Sequence, residues 1–118
     1  MAAPNIVAVS TITGKTALAA LTTSTASILS NSAASGTVVK VNTVTVANYS
    51  GSAVSVTVTI LRSSTSYYLA GTVSVPANST LIIVGKDNFV YLEEGDTLQA
   101  SSSANSAASI YASYEIIS

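Results

Sequence analysis

The chain has 118 residues, a formal net charge of −1, no Cys and no His. That length holds one ordinary domain. Without Cys there is no disulfide framework and no thiolate metal site; without His there is no Ser-His-Asp triad and no imidazole ligand. Four Lys and Arg against five Asp and Glu leave no basic patch for nucleic acid.

Charged residues make up 8% of the chain, against about a quarter in typical domains, while the hydrophobic fraction of 48% is ordinary. Disordered chains combine low hydrophobicity with high charge, so this one is expected to fold. Ser, Thr, Ala and Val take the place of the missing charges. A free domain with so few charges has little defence against association, which favours a subunit that lives inside an assembly. The longest apolar runs, residues 17–21 and 81–84, fall far short of the roughly 20 residues of a membrane span. The first cation is Lys15 and the stretch after it is broken by Thr and Ser, so no signal peptide is expected.

In chain order, residues 1–13 read as an N-terminal arm or edge strand, with Ile6 and Ile12 on one parity and Val7 and Val9 on the other. Gly14-Lys15-Thr16 is expected to be a turn; it resembles the end of a phosphate loop, but Val9 stands where that motif needs glycine. Residues 16–21 and 25–30 read as short strands, because the Ala/Leu start is opposed by a Thr/Ser run that disfavours helix. A loop over 31–35 precedes two long alternating segments, Gly36 to Asn48 and Ser52 to Arg62.

These two segments are predicted to form a hairpin. Val44 and Val46 share one parity, as do Val54, Val56, Val58 and Ile60. A three-residue turn, Tyr49-Ser50-Gly51, sets Val46 against Val54 and Val44 against Val56, with Gly51 supplying positive φ. Thr43, Thr45, Thr57 and Thr59 would then share the opposite, uncharged face. A solvated sheet surface ordinarily carries Lys and Glu, so their absence marks a face on which something packs.

Residues 62–65 are the next turn, and Ser66 to Val75 a strand in which Gly71 marks a bulge or a close approach of backbone. A turn at Pro76 leads to a strand over 80–84, apolar on both parities and so expected to be covered on both faces. Residues 85–88 form a loop, 89–92 an extended segment, 93–96 a turn, 97–101 a strand and 102–107 a loop. The last strand, 108–117, alternates Ile110, Ala112, Tyr114 and Ile116 against Tyr111, Ser113, Glu115 and Ile117. Eight to ten short strands with turns about every ten residues predict an all-β fold: a single antiparallel β-sandwich over residues 1–118, jelly-roll-like or Greek-key.

The one acidic cluster, Glu93, Glu94 and Asp96, lies along one turn. It lacks calcium-loop spacing, and its members are too close in sequence to flank a substrate as a glycosidase pair does. It reads as a solvated turn, with an ion or subunit contact as the alternative. Tyr67, Tyr68, Tyr111 and Tyr114 are candidate interface residues, since Tyr joins an apolar body to a polar tip; the ordinary alternative is that they cap the core. With Ile6, Val7, Val9, Thr43, Thr45, Thr57 and Thr59 they make up the candidate interface. No catalytic, cofactor or metal site is expected. The triplets beginning at Asn48 and Asn78 match the glycosylation pattern formally, as Ser/Thr-rich chains do by chance.

Several segments carry a resemblance: Asn5-Ile-Val with Ile12-Thr-Gly-Lys-Thr16, Leu61 to Tyr67 with Leu69-Ala70, Val73 to Leu81, Tyr91 to Leu98, and Ser113 to Ile117. Together they resemble the small β-sandwich virion proteins of tailed bacteriophages, especially marine and cyanobacterial ones. The resemblance covers nearly the whole chain, and its motifs are turns and strand patterns that specify fold better than role. It implies a virion structural protein, foremost a capsid decoration or cement protein, with a neck or tail accessory subunit as the alternative. The implied partners are the major capsid protein or other virion proteins and further copies of the chain, as a trimer or larger; no nucleic acid, membrane or cofactor is implied. A host-surface or carbohydrate-binding module is the reading from another class.

Overall fold

The computed structural model describes residues 8–118. It is all-β. Among the described residues there are nine strands: β1 (Ile12–Ala20), β2 (Ala26–Ser30), β3 (Val38–Asn48), β4 (Val54–Arg62), β5 (Thr65–Val75), β6 (Ser79–Val84), β7 (Val90–Leu92), β8 (Thr97–Ser102) and β9 (Ala108–Ile117). A 3-10 turn, Lys86–Asn88, separates β6 from β7. Two antiparallel sheets pack together. Sheet A has the order β1-β9-β3-β6, with β7 also on β3, and sheet B the order β2-β8-β4-β5. Strand β6 pairs with residues 44–48 of β3 and β7 with residues 39–41, so the two act as one interrupted strand. Counted that way there are eight strands; sheet A takes the first, third, sixth and eighth and sheet B the second, fourth, fifth and seventh, as in a jelly roll.

The core is made by the inward faces of both sheets. Val41, Val44 and Val46 of β3, Val56 and Val58 of β4, Leu92, Leu98, Ile110 and Ala112 are buried in one cluster. Each buried Val, Leu or Ile side chain contributes about 1.5–3 kcal/mol on leaving water. The inward parity of β3 changes between Val41 and Val44 because the ladder to β9 shifts between Val41 and Thr43; a bulge absorbs the extra residue.

The predicted β3–β4 hairpin does not form. Strand β3 pairs with β9, β6 and β7 in sheet A, and β4 pairs with β8 and β5 in sheet B. Residues 49–53 carry the chain from one sheet to the other. The alternation itself holds, since both Val stripes are buried, but they meet across the core and not along a ladder. Two facing sheets satisfy that parity as well as two paired strands do. The arch is held by Asn48. Its Nδ2 donates toward the carbonyl oxygens of Ser52, Val75 and Pro76 at 2.9, 3.0 and 3.1 Å, and its Oδ1 accepts from the Ser50 N–H and hydroxyl at 3.0 and 2.7 Å. Gly51 has no positive φ.

Two further expectations are corrected. Gly14, Lys15 and Thr16 lie within β1, paired to Glu115, Tyr114 and Ser113, and make no turn; the long partner β9 carries the ladder straight past the glycine. Ile82 of β6 is exposed, so that strand is covered on its inner face only. The bulge near Gly71 is present: the β4–β5 register shifts between Val56 and Val58, and Thr72 takes φ 52° with its N–H bonded to Thr57 Oγ1 at 3.1 Å. The 62–65 turn is present as a two-residue hairpin loop, with Ser63 and Ser64 both at positive φ.

Candidate interaction surfaces

The acidic turn is not a plain solvated loop. Asp96 is buried, and its carboxylate accepts Arg62 Nε at 2.8 Å, Arg62 Nη2 at 2.5 Å and the Glu93 N–H at 2.8 Å. Glu93 adds a second carboxylate 3.0 Å from Arg62 Nη2. Glu94 turns the other way and accepts the Gly36 N–H at 2.8 Å. The Asp96 hydrogen bond, aided by the charges of Asp96 and Glu93, raises the Arg62 pKa despite its desolvation. For Asp96, burial pushes the carboxyl up, but the hydrogen bonds from Arg62 and the Glu93 N–H, with the Arg62 charge, outweigh it and hold the group below its ordinary value. The turn therefore clips the end of β4 to the start of β8. Among the described residues no three or more His, Cys, Asp or Glu side chains converge as a metal site.

The outer face of sheet B is uncharged and, Leu61 apart, polar. Ser27, Gln99, Thr59 and Tyr68 form one row across its four strands, and Thr57 lies beside Ser101. Thr59 is buried between Gln99 and Tyr68. Tyr67 is exposed on the edge strand and lines a shallow depression with Ile60 and Arg62.

The outer face of sheet A differs. The registers place Leu18 of β1, Tyr111 of β9, Thr45 of β3 and Ile82 of β6 in one row. Leu18 is 78% exposed, Ile82 67% and Tyr111 41%, while Thr45 is 5% exposed in the hollow between its neighbours. On one side lies the row Ala20, Ser109, Ala47 and Thr80, and on the other Thr16, Ser113 and Thr43. None of these eleven residues is charged. The row Gly14, Glu115, Lys40 and Tyr91 follows, where Lys40 Nζ sits 4.4 Å from the Phe89 ring and Phe89 meets Tyr91 edge-on at 5.4 Å.

The candidate interface residues are therefore divided. Thr43, Thr45 and Tyr111 face out from sheet A; Thr57, Thr59 and Tyr68 face out from sheet B, on the opposite side of the molecule. The single Thr face expected from the hairpin does not exist, because β3 and β4 belong to different sheets. Tyr114 has the inward parity and packs against the core. Val9 is half-buried, just before Ser10 and Thr11 donate their N–H groups to Ser118 O at 2.7 and 3.0 Å. Ile6 and Val7 lie outside the described residues. Sequence reasoning missed Leu18 and Ile82; the available signal was a lone Leu on the parity opposite Ala17 and Ala19, and a β6 strand apolar on both parities. Asn48, the first residue of a formal glycosylation triplet, is buried and its amide is engaged. No protein-family model matches the chain, and neither does any curated protein.

Proposed function

We propose that this chain is a structural subunit acting through protein–protein contact, and, following the resemblance, that it is a bacteriophage virion protein decorating the capsid as a cement protein. The jelly roll carries no role by itself, since capsid proteins, lectins and cupins share it. The observation that carries the reading is the exposed row of Leu18, Tyr111 and Ile82 within an uncharged patch on sheet A. Contiguous apolar surface of this kind costs free energy in water and marks contact sites. A chain with 8% charged residues gains solubility by having that surface covered. The reading includes no catalysis: the turn carboxylates of Asp96 and Glu94 are taken up by Arg62 and backbone N–H groups, and the chain has no His or Cys. Many weak contacts on one shell add through multivalency. Cryo-electron microscopy of the virion tests the proposal. Density for the jelly roll repeated over the head supports the decoration role; a single ring of copies at the neck or tail moves the chain to the accessory role; absence from the particle overturns the proposal.

A further inference from the structure

We propose that the outer face of sheet A is a self-complementary dimer interface, occupied by the same face of a second copy across a two-fold axis that runs parallel to the strands, between β9 and β3. The inference rests on the reading of this row as a contact surface and names its occupant; the dimer in solution and the copies on the particle are measured separately, so one fails without the other.

The order of residues across the sheet sets the symmetry. A two-fold axis in the plane between two facing sheets, parallel to their strands, keeps each row opposite the same row of the other copy and reverses its direction. The column order β1, β9, β3, β6/β7 then puts β1 against β6/β7 of the partner, and β9 against β3. In the central row Leu18 faces Ile82 of the second copy at both ends. Tyr111 faces the hollow over Thr45, again twice. Large side chains meet a depression and apolar ones meet apolar ones.

The same operation acts on the charged row, where Glu115 faces Lys40 of the second copy and Lys40 faces Glu115. Tyr91 faces Gly14, which has no side chain to obstruct the ring. A Cβ built at Gly14 meets nothing within 4 Å in the single chain, so folding of the single chain leaves that space unfilled. In the next row Val38 and Ile117 are already buried in the single chain, and only Ile12 stays exposed, so the contact ends at the charged row. Shape, polarity and charge agree under one operation, as an isologous contact requires. The outer face of sheet B carries no such apolar row.

The area fits a weak, reversible contact. Four strands about 4.8 Å apart and four exposed rows spaced by about 6.8 Å cover on the order of 520 Å² per copy. A standard stable interface buries about 800 Å² per partner, so the contact is smaller than that and forms in a concentration-dependent way.

The test exploits the absence of native Cys. Leu18 and Ile82 sit on opposite edges of sheet A, about 14 Å apart within one chain, while facing sheets lie about 10 Å apart, too far for a disulfide but within reach of a short bis-maleimide. Leu18→Cys and Ile82→Cys chains are mixed and treated with a bis-maleimide that spans about 10 Å. The expected product is the mixed cross-linked dimer, which joins position 18 of one chain to position 82 of the other, in excess over either same-position dimer. Sedimentation equilibrium of the unmodified chain is expected to show a reversible dimer. Ile82→Lys is expected to weaken it by about tenfold or more, with the circular dichroism spectrum and thermal unfolding unchanged; Thr57→Lys, on sheet B, is expected to leave it intact. Predominance of the dimer joined through position 18 of both chains, which reports edge-to-edge pairing through β1, overturns the proposal. So does a chain that stays monomeric at millimolar concentration, or one whose dimer is insensitive to Ile82→Lys.

Discussion

Arg62 and Asp96 form a two-point pair: Nε and Nη2 of the guanidinium reach Oδ1 and Oδ2 of the carboxylate at 2.8 and 2.5 Å, 34 positions apart in the chain. Asp96 is buried and Arg62 is about half exposed. The pair links the outer end of a hairpin to the turn that opens β8. Removing the acid strands a cation that water still reaches, so the cost lies mainly in lost hydrogen bonds, including that of the Glu93 N–H. Asp96→Asn is expected to lower stability by about 2 kcal/mol, measured by urea unfolding. Glu93→Gln, which removes only an exposed partner, is expected to change it by less than about 0.5 kcal/mol.

The same pair sets an acid limit. The Asp96 carboxyl titrates below its ordinary value in the folded chain. Its stabilising effect is therefore complete above the unfolded value of about 4 and is lost as pH falls through the lower, folded value. Arg62 is shifted the opposite way, so its contribution holds below its ordinary value and is lost only in strong alkali. Thermal unfolding followed from pH 6 to pH 2 is expected to show a falling midpoint below about pH 4, with a shallower fall in Asp96→Asn.

Asn48 holds the arch between the sheets through one buried amide. Asn48→Leu keeps the volume roughly but leaves the Val75 and Pro76 carbonyls and the Ser50 N–H without their partner. The expected loss is about 2–4 kcal/mol, since orphaned buried backbone groups lose hydration without compensation. Chemical denaturation measures it. Asn48→Asp is expected to be no better, because the carboxylate cannot donate to those carbonyls.

The Ser63-Ser64 loop joins β4 to β5 with both residues at positive φ, 52° and 64°. Asn-Gly is the sequence suited to such a two-residue turn, because glycine has no Cβ to strain and Asn tolerates the left-handed region. Ser63→Asn with Ser64→Gly is expected to raise stability by about 0.5–1 kcal/mol, read as an increased denaturation midpoint at unchanged slope. Thr72, β-branched at φ 52°, is a second strained position, and Thr72→Gly is expected to be neutral or stabilising for the same reason.

Strand positions are legible because a period of two marks each one: the limits of β9 match the alternation that begins at Ala108, and Gly71 signals its bulge. The acidic turn is legible too, but not its use. Nothing local connects Asp96 with Arg62, which the β4–β8 pairing brings together from Leu61 and Thr97. The candidate interface is legible only in part, since residue type and parity mark Tyr111 and Thr45 but not their neighbours Leu18 and Ile82. Those four residues come from four strands, and only the pairing of sheet A makes them one row.

What the sequence determined alone is the class: alternation, turn residues and scarce charge require strands stacked around a Val and Ile core. Which strands pair, and which faces they share, was decided by the tertiary structure. Parity assigns each side chain to one of two sides of its own strand, and a hairpin and an inter-sheet arch satisfy that assignment equally. The choice was made by long-range partners, β9 and β6 for β3 and β8 for β4, with the Asn48 amide holding the crossing between them.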